Sequence, residues 1–157
     1  MLLVLLLSCS KKVPITITKV EGSPEYENAK LSLDTIYQKD KDNFMFSFKV
    51  EDFKLGEQTE KDFDFQLANS EKGQHIHVII NNNPYYAKYT NNFSQSLNTD
   101  NNVILAFLSR SYHESVKNGN AYLITQIGES NPIDLSKELL FYSRPKGTYK
   151  GESTKKV

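Results

Sequence analysis

The apolar and polar positions of this chain alternate with a short period almost throughout. The stretch "NFMFSFKV" at 43–50 is the clearest case: Phe44, Phe46, Phe48 and Val50 fall on one side, Met45, Ser47 and Lys49 on the other. A period of two is that of a strand with one buried face. "LSLDTIY" at 31–37 alternates in the same way, and "VPITITKV" at 13–20 reads as an edge strand. "VILAFL" at 103–108 is apolar on both faces, which suits a strand in the middle of a sheet. "HIHVII" (75–80), "PYYAKY" (84–89) and "AYLITQI" (121–127) add three more strands. Asn81, Asn82 and Asn83 separate the first two of these as a hairpin turn, and "KNGN" precedes the third. "ELLFY" at 138–142 fits either a strand or a short helical turn begun near Asp134. No long helix is indicated.

Seven to eight short strands at regular spacing predict an all-β, immunoglobulin-like sandwich. The Cys–Trp–Cys signature of antibody domains is absent, so this expectation rests on strand count. The sandwich is expected over 31–157, with 10–30 as a tether leading into it. "SRPKGTYKGESTKKV" leads toward a new strand and stops, so the domain is expected to lack its C-terminal strand or strands.

Composition adds three constraints. A chain of 157 residues fits one domain with a real core. The formal net charge is zero, with 24% charged residues, so the balance gives no reason to expect a nucleic-acid partner. The single cysteine, Cys9, follows "LLVLLLS" and precedes "SKK". An apolar run ending in a small residue and then cysteine resembles a bacterial lipoprotein signal, here residues 1–9, with Cys9 as the lipidated residue. The run is far shorter than the ~20 apolar residues a membrane span requires. The expected location is the bacterial cell envelope, outside the cytoplasm, held to the membrane by lipid on Cys9. A lone cysteine leaves no disulfide within the chain.

The candidate chemistry lies in three histidines. His75 and His77 are two apart in a strand and therefore share a face, while Ile76, Val78 and Ile80 form a core row on the other. Two imidazoles at this spacing can grip one ion from one side, and imidazole suits copper and zinc. A site needs a third ligand. His113, just past the central strand, is the only histidine left, with Tyr112 and Glu114 beside it. The alternative is a histidine pair on the solvent face that binds nothing. A second site is offered by Arg110 between Ser109 and Ser111, whose planar fork suits a carboxylate or phosphate, with Tyr85, Tyr86 and Tyr89 as an aromatic platform for a peptide or anionic ligand. No nucleophile elbow, phosphate loop or H-E-x-x-H is present, which predicts a binding protein rather than an enzyme.

The stretches "FKLGEQT", "ANSEKGQHIHVIINNNPYYAKY", "ILAFLSRSYHESVKN" and "LFYSRPKGTYKG" together resemble a family of uncharacterised envelope lipoproteins of Gram-negative bacteria. The resemblance covers about residues 44–151 and is specific in the last three stretches. It implies a small β-sandwich with histidines on one face. Some members carry a phosphopeptide-binding label, for which Arg110 and its flanking serines are the residues available here. In related chains a further apolar strand follows the "GTYKG" region, in keeping with the expected truncation.

Overall fold

The computed structural model describes residues 16, 21–64, 67–97, 100–128, 131–142 and 150–152. Alternation becomes two antiparallel sheets. One has the order β1 (Lys30–Gln38), β2 (Asn43–Glu51), β5 (Asn92–Ser96). The other has the order β4 (Tyr86–Lys88), β3 (His75–Ile80), β6 (Asn102–Ser109), β7 (Tyr122–Ile127). The described residues hold no α-helix. Lettered A to G in chain order, the sheets are A-B-E and D-C-F-G. An immunoglobulin constant domain has A-B-E-D and C-F-G, so the fourth strand here sits on the opposite sheet.

The core lies between the two inner faces. Phe46 and Phe48 of β2 stack on Phe93 of β5, with ring centroids 5.4 and 5.6 Å away. Ile76, Val78 and Ile80 of β3 meet them from the other sheet, with Ile104, Ala106 and Leu108 of β6. Each large apolar side chain buried here contributes about 1.5–3 kcal/mol. Met45 and Lys49, on the other face of β2, stay outside the core, as the alternation requires.

Several boundaries differ from the sequence expectation. β5 carries only one apolar residue, Phe93, among polar ones, so its alternation is too weak to read; its pairing with β2 makes it a strand. Residues 138–142 form no strand. Asp134 begins a single turn, with the Lys137 amide donating to its carbonyl at 3.2 Å, and Leu139, Leu140 and Tyr142 beyond it are exposed. The segment expected to be a tether is part of the domain from Ser23 onward. Ala29 is in the core, Tyr26 packs edge-on against Phe53, and the Pro24 carbonyl accepts from Arg110. Its turn-rich composition hid this packing, because the anchors are single residues rather than a periodic row. Cys9, all of "VPITITKV" except Thr16, and most of the C-terminal "SRPKGTYKGESTKKV" lie outside the described residues.

Candidate metal centre

The outer face of the four-stranded sheet carries the histidines. His75 pairs with Ser109 of β6, and His77 pairs with Phe107 of β6 and Ala87 of β4. Both imidazoles face away from the Ile76–Val78–Ile80 row, yet they are 0% and 4% exposed. The solvent-face alternative is thereby corrected: local structure covers the pair. Tyr85 stacks on the His77 ring at 4.0 Å and 13°. Phe107 flanks His77 at 4.9 Å, and Tyr89 flanks His75 at 5.1 Å. The Tyr85 position follows from the turn before it. Asn81 and Asn82 both have positive φ and the Asn83 amide donates to the Ile80 carbonyl, a tight hairpin geometry that asparagine tolerates.

His113 closes the group from the loop after β6. Ser111, Tyr112 and His113 form a three-residue connection: the His113 amide donates to the Arg110 carbonyl at 2.9 Å and the Arg110 amide to the Glu114 carbonyl at 2.8 Å. The last residue of such a connection takes a left-handed conformation, most often as glycine. Here it is His113, at φ 67°. The His113 ring thus comes to 5.2 Å from that of His75 and 5.8 Å from that of His77, centroid to centroid. One ligand atom from each of the three lies within 4.8 Å of the other two. Burial lowers the pKa of His113 below its usual value of 6.5, which favours the neutral, metal-binding form.

The hydrogen bonds define the protonation pattern. His75 Nδ1 lies 2.8 Å from the Gly73 carbonyl, which can only accept, so the proton is on Nδ1 and the Nε2 lone pair points into the group. His77 Nε2 lies 2.7 Å from it and donates in the metal-free state. A carbonyl on the far nitrogen is the usual way of orienting a ligating histidine. Two nitrogens on a common ion at ~2.05 Å stand about 3.3–3.6 Å apart, so binding would open the His75–His77 contact by about 0.6 Å or slightly more. Since no separation in the group exceeds 4.8 Å, closure elsewhere is limited to little more than about 1 Å. His113 Nδ1 is buried without a hydrogen-bond partner, the kind of atom that calls for an ion or other partner. The residues fit a transition metal held by three imidazoles.

The remaining candidates have other duties. The Arg110 side chain is buried. Its Nε and Nη2 donate to the Pro24 carbonyl, Nη1 donates to the Ser115 carbonyl at 2.9 Å, and Glu114 lies 3.8 Å from Nη1. Its fork thus ties the chain to itself. Ser109 Oγ donates to the Arg110 carbonyl at 3.2 Å. Ser111 exchanges bonds with Thr59: its amide donates to Thr59 Oγ1 and its Oγ accepts from the Thr59 amide. The Tyr112 hydroxyl donates to Ser23 Oγ at 2.9 Å, and its ring meets Phe63 edge-on. Tyr86 is exposed.

Sequence reasoning passed over the supports. Gly73 orients His75 and adopts φ +83°, where a Cβ would collide with the Glu57 backbone. Thr59 links the His113 loop to Gln74, the residue before His75, at 3.0 Å. Ser70 holds the Tyr89 hydroxyl at 2.7 Å and the Ser111 carbonyl at 2.8 Å. Only Gly73 left a signal, as the one glycine at the head of the histidine strand. No family model, no curated protein and no solved structure matches the chain.

Proposed function

We propose that this is a metal-binding protein of the bacterial cell envelope, holding one transition-metal ion, copper or zinc, through the imidazoles of His75, His77 and His113. The observation that carries the reading is the convergence of one nitrogen from each histidine within 4.8 Å, from two elements far apart in sequence. The carbonyl behind His75, the buried Nδ1 of His113 and the aromatic cover add support. The envelope location and lipid anchor are supported by the "LLVLLLSCSKK" pattern around Cys9. An anionic or peptide ligand at Arg110 is not favoured, because the guanidinium already serves the Pro24 and Ser115 carbonyls.

Calorimetric titration of the whole chain with Cu(II) and with Zn(II) tests the reading. The wild type is expected to bind at least one of the two ions at one equivalent. His77→Ala should lose most of that affinity, because two ligands remain where three are needed. If the wild type binds neither of these ions, nor Cu(I) under anaerobic ascorbate, more tightly than the variant, the histidines are not a metal site.

A further inference from the structure

We infer that the ion this site is built to take is monovalent copper, Cu(I), an assignment that rests on the metal-binding reading above. The argument is one of charge. All three ligands are neutral imidazoles, and among the described residues no aspartate, glutamate or cysteine belongs to the cluster. The acid nearest in the chain, Glu114, is already engaged: its Oε2 accepts from Ser23 at 2.6 Å and its Oε1 lies 3.8 Å from Arg110. A cation, Lys72 Nζ, stands 5.6 Å from the ring centroid of Tyr89, which flanks His75. Among the described residues no anionic side chain joins the three imidazoles to offset the charge of an ion.

Desolvating an ion costs free energy in proportion to the square of its charge, so a dication taken into such a site loses about four times what a monocation loses. Zinc sites with three imidazoles recover that loss by keeping a fourth position open for water, which ionises there. Here the rings of Tyr85, Tyr89 and Phe107 crowd the His75 and His77 imidazoles, while His113 is only half-buried. They cover the imidazoles without supplying a negative charge. Cu(I) accepts two or three nitrogen ligands and needs no fourth. Binding involves no electron transfer; it displaces solvent and moves the His77 proton from Nε2 to Nδ1, so that the ring ligates as neutral imidazole.

The test is competition against chromophoric chelators, bicinchoninate for Cu(I) under anaerobic ascorbate and a zinc-responsive dye for Zn(II), with the full chain. The wild type should bind Cu(I) at least about tenfold more tightly than Zn(II). His113→Asp places a carboxylate in the cluster, at a backbone conformation aspartate tolerates, and should narrow or reverse that ratio. Zn(II) binding as tight as Cu(I) in the wild type would overturn the assignment while leaving a metal site in place. A ratio unchanged in His113→Asp would overturn the charge argument. Binding of neither ion would instead overturn the metal reading itself.

Discussion

His113 holds a left-handed conformation, φ 67°, at a loop position where glycine is the ordinary occupant. A residue with a Cβ gives up about 1–2 kcal/mol there. Backbone strain of this kind is retained where the side chain has a task, and here the strained residue supplies the third imidazole. His113→Gly separates the two effects. The metal-free variant is expected to be as stable as the wild type or more stable in urea, because strain is relieved. It should lose most of the stabilisation that metal confers on the wild type, about 2.7 kcal/mol at a hundred times the dissociation constant. A variant that keeps the full metal-dependent shift would remove His113 from the site. The histidines themselves were legible in the sequence, because i and i+2 on a strand share a face and only one further histidine exists. The left-handed loop was not, since His113 looks like any polar residue past a strand end.

At the scale of elements, β3 is positioned by its pairing with β6, which puts His75 opposite Ser109 and His77 opposite Phe107. A slip of one residue would exchange the histidines with Ile76 and Val78 and bury imidazoles in the core, so the apolar row fixes the site as much as the fold. This much follows from alternation: β1, β2, β3, β6 and β7 stand where the pattern puts them. What failed to show is held by non-periodic contacts. β5 owes its strand to β2, and the 21–29 segment owes its place to Ala29, Tyr26 and the Pro24–Arg110 bond. The burial of the histidines belongs to the same class. Tyr85 and Tyr89 come from just beyond the two ends of β4 and His113 from the loop after β6, and no local pattern announces that they meet over one strand.

For the whole molecule, the pKa of His113 couples folding to pH. Its folded value is lowered by burial. The unfolded chain therefore takes up a proton near pH 6.5 while the folded chain still resists, and unfolding gains from acid in that window. The stability tied to His113 is complete above about pH 6.5 and is lost as pH falls toward the folded value. The urea midpoint of the metal-free protein should fall between about pH 7.5 and about pH 5.5, and less steeply in His113→Gly. Equal slopes in the two proteins would show that His113 carries none of the dependence. The proposed lipid anchor belongs to this scale as well. Acyl chains on Cys9, as proposed, would bury many methylenes in lipid, so the protein is expected to fractionate with membranes and Cys9→Ser is not. A Cys9→Ser protein still acylated and membrane-bound would refute the lipoprotein reading.

Three imidazoles, from one strand and one distant loop, are proposed to meet on a single ion. Anomalous diffraction from crystals of the metal-loaded protein, recorded at the absorption edge of the bound metal, tests this most directly. One peak is expected, about 2.0–2.1 Å from one nitrogen each of His75, His77 and His113. The 2.7 Å contact between His75 Nε2 and His77 Nε2 should open as the ion enters. A peak elsewhere on the molecule, or metal-soaked crystals in which that contact persists and no peak appears beside it, would contradict the metal-binding reading.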